Sequence, residues 1–449
     1  MRIGVGAGGC EQRNGKQSTW WLHRCYYEVM KRSSLFRIPN YPAWFGADTF
    51  LLAGSAVHWI VLSVMAYDLS GSVVVAGWFS TVRGIVSAIT QITGGTFIDR
   101  HDHRKLMLVQ AGVCALLWMV MGLLFVFGQL TFAWFAGLCM CSSSVFGFLG
   151  GTTNAALIRV VGPTRYAEAE SVNQGRDAAV NTAGSPLGAV LFGISRSFPF
   201  FASAIFDALA FVCAWFLRLP NMQEEDAQNG ANNGIPNRGM LSFWSDMVDG
   251  WRWVLASKTI VSAVVVIGIV QFSVFGLHQA VNLSLVERGT EPLLISLSNV
   301  GMAVGTILGS VFSTRVCNRI PTGKGVVIVF FAMAVAYLPM VLSASYPVII
   351  ASTCLASFPM PLFNALVSGF VFSKTPVSKQ GRTRAAVMTV LMFFASFSGA
   401  VAGELLPRIG FSGFVLVMVG LAVLGAAVAA LNPLLRAIPA APEWERVEL

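Results

Sequence analysis

The stretch GGTFIDRHDHRKLMLVQAGVCALLWMVMGLLFVF, residues 94–127, decides how the rest of the chain is read. It opens with an unbroken run of ionisable side chains from Asp99 to Lys105. From residue 106 to residue 127 there is then no charge at all. About 20 consecutive apolar residues form a helix long enough to cross a hydrocarbon core of roughly 30 Å. A second apolar run precedes the charged one, so the charges mark a connection between two membrane-crossing helices.

The whole chain carries the same signal. It has 449 residues, of which 55% are hydrophobic and 11% charged, with a mean hydropathy of +0.69. Soluble domains hold about 25% charged residues, so this composition belongs to a polytopic membrane protein. The eight cysteines are scattered and mostly sit in apolar runs. Their spacing fits neither a disulfide framework nor a metal site.

Twelve spans are predicted, at 45–67, 73–98, 105–127, 130–158, 168–194 and 199–217, then 259–285, 293–313, 325–343, 347–372, 384–405 and 412–432. The fourth, fifth and tenth contain Gly, Pro, Ser and Asn. Such residues are tolerated where neighbouring helices or a cavity satisfy the backbone. With the amino terminus placed in the cytoplasm, 25 of the 30 Lys and Arg fall in inner segments. Only Arg196, Arg288 and Arg408 fall outside, with Arg83 and Arg176 inside spans. That lopsided bias places both termini in the cytoplasm. It also accounts for the net charge of +9 without nucleic acid as a partner.

Residues 220–245, PNMQEEDAQNGANNGIPNRGMLSFWS, interrupt the apolar rhythm with acids, amides, Gly and Pro. This is linker composition. It divides the chain into a segment 1–43, a six-helix half 44–219, a linker 220–257 with an amphipathic helix, a second six-helix half 258–433, and a tail 434–449. A shift of 215 residues superposes Gly94 on Gly309, Arg100 on Arg315, Arg159 on Lys374, Gly184 on Gly399 and Gly188 on Gly403. The halves therefore read as a duplication. Two such halves with both termini inside describe a secondary transporter whose site lies between them near the midplane. The expected fold class is an all-α membrane protein of twelve transmembrane helices.

The loop between spans two and three reads G-x-x-x-D-R-x-D-x-R-K at Gly95, Asp99, Arg100, Asp102, Arg104 and Lys105. It resembles the signature loop of the major facilitator superfamily, departing from it at His103. Span count, orientation and halves agree with the resemblance along nearly the whole chain. Asp99 ends span two, and span eleven begins nearby in KQGRTRAAV, with Lys379, Arg382 and Arg384. A carboxylate facing a helix amino terminus and arginines of the other half would clasp the cytoplasmic side shut. The resemblance implies the same role. The plainer alternative is that these charges only anchor a short loop; the basic residues alone would do that, whereas Asp99 and Asp102 oppose it. In the second half GSVFSTRVCNR has Thr314 at the aspartate position, so a second clasp is weak or absent.

In span five, GSPLGAV with Gly184, Pro186 and Gly188 resembles the glycine–proline motif of drug:proton antiporters, with Ala189 in place of the usual second glycine. Ordinary small-residue helix packing is the competing explanation. WRWVLASKTI, GRTRAAVMTVL and VAGELL are similar to the branch of siderophore (enterobactin-type) exporters and macrolide efflux proteins.

Ionisable residues at membrane depth are functional candidates by default. Asp207, in SAIFDALAF, lies deep in span six and is the proton-coupling candidate, with a structural hydrogen bond as the alternative. Arg83 or Arg176 is a possible counter-charge. Arg176 and Asp177 are adjacent and are expected to point to different helix faces, leaving Arg176 to a substrate anion or a carboxylate. Asp48 is expected at the interface, His58 deeper and beside Trp59, and Glu404 and His278 near the outer ends of their spans. The aromatic content of 12% suits an apolar cavity.

No G-x-x-x-x-G-K-[ST] nucleotide loop occurs, and no catalytic set can be nominated, so an enzyme is not expected. The expectation is a monomeric exporter in the inner membrane, using the proton gradient with no cofactor, and taking an amphipathic small molecule and protons as partners beside membrane lipid. A nutrient importer, or a transporter-like sensor, are the other readings. Residues 1–29, before MKRSSLFRIPNY, are expected to be an extension or to follow an upstream start codon.

Overall fold

The computed structural model describes residues 35–98, 101–162, 165–218, 251–375 and 377–446. The amino-terminal extension, most of the linker with its amphipathic helix, and Asp99 and Arg100 lie outside the described residues. Among those described there is no strand.

Twelve long helical segments follow one another. They are α1 (Tyr41–Ser70), α2 (Val73–Ile98), α3 (His103–Val126), α4 (Phe132–Val161), α5 (Tyr166–Ile194) and α6 (Phe198–Phe216), then α7 (Lys258–Glu287), α8 (Pro292–Val316), α9 (Thr322–Leu342) and α10 (Tyr346–Val371). The helical run Val377–Leu431 breaks at Gly410, whose φ of 69° no helix accommodates, giving α11 (377–409) and α12 (411–431). A left-handed backbone conformation of this kind is open to glycine at no steric cost.

By length and composition, ten stretches of the described residues qualify as membrane spans, against twelve expected. Two physical facts account for the difference. The stretch Val390–Leu431 counts once although it turns at Gly410. Helix α5 carries Glu168, Glu170, Arg176 and Asp177 and is not apolar enough to qualify.

Local chemistry sets the helix ends. The Asp102 carboxylate accepts from the Arg104 amide at 2.9 Å and caps α3; Thr131 and Ser257 cap α4 and α7 through their hydroxyls. Proline opens α6, α8 and α10, where a missing N–H costs nothing. Within α10, Pro359 and Pro361 are followed by a π-helical turn at Asn364–Ser368.

Helix α1 packs on α5 and α6, α3 on α6, and α2 on α4; in the second half α8 packs on α10, and α9 on α10 and the α11–α12 run. The halves meet through α2 with α11 and α5 with α8. One contact recurs in both. A side chain on Gly94 would overlap the Phe148 carbonyl of α4, and one on Gly309 would overlap the Phe358 carbonyl of α10. Backbones this close gain dispersion contact that any side chain would remove. The carboxyl-terminal segment folds back, with Trp444 Nε1 donating to Thr322 Oγ1 at 2.9 Å beside Phe370.

Gly94→Leu and Gly309→Leu should each destabilise the protein by about 1–3 kcal/mol through overpacking. Gly420→Ala, where a methyl meets nothing within 4 Å, should be neutral. Thermal unfolding in detergent reads the difference, and equal melting temperatures would refute the packing argument.

Candidate functional site

The halves are joined on α2 and α11, near the connections that follow α1 and α11 and away from the chain termini. Gly77 abuts Gly399 and Gly403 backbone to backbone. One turn on, the Thr81 hydroxyl donates to the Ser396 carbonyl at 2.8 Å and accepts from the Ala400 amide at 2.7 Å. Those two groups belong to one turn of α11, so Thr81 engages both ends of a helical hydrogen bond in the opposite half. A Cβ on Gly399 would stand 3.1 Å from Thr81 Oγ1, so this glycine is what admits the hydroxyl. Trp78 Nε1 donates to Glu404 at 3.1 Å, and Glu404 pairs with Arg408 at 2.9 Å. Glu404 thus has partners at the joint.

Along α5, Ser171, Gln174, Ala178 and Asn181 share one face by their 3-4-3 spacing and are exposed. Thr306, Ser310 and Thr314, four apart on α8, are exposed as well. Polar stripes on helices of this depth belong against water rather than hydrocarbon. They lie on the segments of α5 and α8 nearer the ends that carry the chain termini.

Arg176 meets a carboxylate, one of its two expected partners, and its neighbour Asp177 as well. Its guanidinium bonds Asp48, bonds Asp177 at 2.6 and 2.9 Å, and reaches Thr49 Oγ1 at 3.3 Å. It lies 5.0 Å over the Phe45 ring. Neighbouring side chains do leave a helix in different directions, but the arginine stem is long enough to curl back to Asp177. Asp48 is correspondingly half-buried and ion-paired. These three candidates form one closed cluster between α1 and α5.

Asp207 sits on α6 facing α1 and is 4% exposed. Among the described residues it has no hydrogen bond and no ion pair, so neither Arg83 nor Arg176 serves as its counter-charge. Space for its carboxyl comes from Gly54, where a Cβ would stand 2.9 Å from Asp207 Oδ1. One turn along both helices, Ser203 donates to the Gly54 carbonyl at 3.0 Å, and the His58 ring meets Ser203 Oγ at 3.2 Å. Because that hydroxyl proton is already committed, His58 Nδ1 is the donor. The ring packs 4.0 Å from Trp118. Arg83, on α2, lies 5.1 Å over the ring of Trp59.

In the signature loop, Asp102 caps α3, and Arg104 donates to the Trp215 carbonyl at 2.7 Å within its own half. Lys105 is exposed, and Gly95, in the last turn of α2, is half-buried. Asp99 and Arg100, and the side chains of Lys379, Arg382 and Arg384, lie outside the described set, although those three belong to helix α11. Gly184 and Gly188 press against Ala56 and Val57 of α1, with Pro186 between them. Gly399 and Gly403, their counterparts by the 215-residue shift, press instead on α2 across the halves.

The sequence reading missed Thr81 and a cleft in the second half. That cleft, about 390 Å³ of atom-free space counting its opening to solvent, is lined by His278, Ser298, Asn299, Tyr337, Thr353 and Ser357 among others. Asn282 Nδ2 donates to His278 Nε2 at 3.0 Å, and Asn282 Oδ1 is buried without a partner. The available signals were small and hydroxyl residues four apart (Gly77 and Thr81, Gly399 and Gly403) and a His–Asn pair four apart on α7.

Residues 45–287 match the sequence profile of the Major Facilitator Superfamily. No curated protein sequence matches the chain. Similar solved structures include a bacterial homologue of the iron transporter ferroportin in an inward-facing state, at 16% identity and TM-score 0.69, covering 89% of this chain and 99% of that one. The nucleoside transporter NupG has 13% identity and TM-score 0.64, covering 87% and 98%. The human organic anion transporter MFSD10 (TETRAN) has 15% identity and TM-score 0.60, covering 89% and 100%. At these identities the likeness is one of fold.

Arg176→Met strands Asp48 in a half-buried site and should cost about 3 kcal/mol, whereas the double change Arg176→Met with Asp48→Leu should recover part of it. Melting temperatures test this; a single change without effect would contradict the cluster's structural role.

Proposed function

The chain belongs to the major facilitator superfamily and is a secondary transporter; from that premise we propose that it exports an amphipathic small molecule in exchange for protons, by alternating access. The observation that carries the coupling is Asp207. An ionised carboxylate buried without a hydrogen bond or counter-ion is costly, and in a membrane such a residue marks a proton or substrate path. Asp207 is therefore proposed to take up and release the coupling proton as water reaches α1 and α6 from alternate sides. His58 and Ser203, one turn away, are proposed to order the water that serves it.

Efflux rather than uptake is supported by GSPLGAV in α5 and by the similarity of the α7 and α11 segments to siderophore and macrolide exporters. Exposed aromatic surface such as Trp59 suits an amphipathic substrate. In the same reading, the signature loop and the basic start of α11 are proposed to serve as the opposite gate, closing as the Thr81 joint opens.

Cells carrying the protein should accumulate less of at least one member of a panel of amphipathic compounds, and a protonophore should abolish the difference. In proteoliposomes that compound should drive an opposed proton flux. Asp207→Asn should abolish the flux while leaving compound exchange intact. Increased accumulation would indicate import, and compound-independent proton permeability with no transport would support a sensor.

A further inference from the structure

Helix α1 is enclosed by its neighbours. Beyond Pro42, the exposed positions along it are Trp59 and Asp68. A helix facing lipid shows an exposed stripe every three or four residues, and α1 has none. Asp68 lies at its end, where it pairs with Arg196 at 3.1 Å. The 53% exposure of Trp59 is therefore an opening into space enclosed by the bundle, midway along the helix. Arg83 stands over this indole and lines the same space.

Several other arginines on the helices are partnered. Arg176 and Arg408 have carboxylate partners, and Arg104 and Arg288 donate to backbone carbonyls. Among the described residues, Arg83 has neither a hydrogen bond nor an ion pair; its contact is the face of Trp59. A guanidinium is charged under all ordinary conditions and offers five donors in a planar fork. At membrane depth, such a charge needs a partner, and the polar groups that feel its charge, His58 and Cys139, supply no anion. His58 is committed to Ser203, and Cys139 is a buried free thiol.

We infer that Arg83 and Trp59 form an anion subsite of the transport pathway, taking an organic carboxylate attached to an apolar or aromatic body. The carboxylate meets the guanidinium fork in bidentate fashion, and the apolar body lies along the exposed indole. This inference rests on the transport reading and names the class of its substrate.

The test is equilibrium binding of 2-naphthoate and of its neutral isostere 2-naphthamide to the detergent-purified full chain. The carboxylate should bind about tenfold more tightly, the scale of one charge-assisted pair. Arg83→Gln should erase that preference while leaving the amide within about twofold of its original affinity, and Arg83→Lys should retain part of it. Trp59→Ala should weaken both probes. A preference unchanged by Arg83→Gln, or no preference in the unaltered protein, overturns the inference. Adding excess phosphatidylglycerol separates the two sources of an anion: competitive loss of naphthoate would assign the site to a lipid headgroup and overturn it as well. Arg83-dependent binding without any flux in proteoliposomes would fail the transport reading and leave the subsite standing. Flux with no Arg83-dependent binding would do the reverse.

Discussion

The contact between α2 and α11 is the constraint on which the architecture turns. Two halves in a bilayer have little hydrophobic reason to adhere, because lipid is as apolar as their surfaces. At this contact they are joined by close approach of backbones at Gly77, Gly399 and Gly403, by the Thr81 hydroxyl shared with a turn of α11 and by the Trp78–Glu404 hydrogen bond. Each intramolecular hydrogen bond is worth about 1 kcal/mol net, so the joint is strong enough to favour one arrangement and weak enough to open. A transporter needs both properties, since a change between states is driven only by differences of a few kcal/mol.

Around that joint the first half sorts its charges into two kinds. Asp48, Arg176 and Asp177 satisfy one another between α1 and α5, as buried charges must if they are to serve as structure. Asp207 and Arg83 do not. Each occupies space prepared for it, the carboxyl against Gly54 and the guanidinium over Trp59, and each lacks a partner among the described residues. A carboxyl of this kind is suited to exchanging a proton and a guanidinium to meeting an anion. Because the two are not paired with each other, the proposed tasks would not cancel through a permanent ion pair. Glycine provides the room for the carboxyl at Gly54, as it does for the Thr81 hydroxyl at Gly399.

Much of this was legible in the sequence, and what was not had a definite physical reason. Apolar runs bounded by Lys and Arg locate helix ends to within a few residues, because hydrophobic length and interfacial charge are local properties. Helix α5 is the instructive case: its polar residues fail a composition test, yet they belong to a helix whose exposed face carries Ser171, Gln174 and Asn181. Pairings across helices were illegible. Asp48 and Arg176 lie 128 positions apart, and nothing in either segment announces the other. Thr81 reads as one more small residue in an apolar run; its role exists only because Gly399, in the other half, leaves its backbone open. The register shift that superposes the halves likewise aligns glycines correctly but does not say which neighbour each one faces.

If the halves rock about this joint, the distance across it must change. Spin labels at Val75 and Ile409, both exposed beside the joint, report it by double electron–electron resonance in reconstituted protein. The account predicts one short distance at rest and a second, longer population when a transported compound or a proton gradient is supplied. Thr81→Val should enlarge that longer population. A single distance, unchanged by compound, gradient or Thr81→Val, would contradict it.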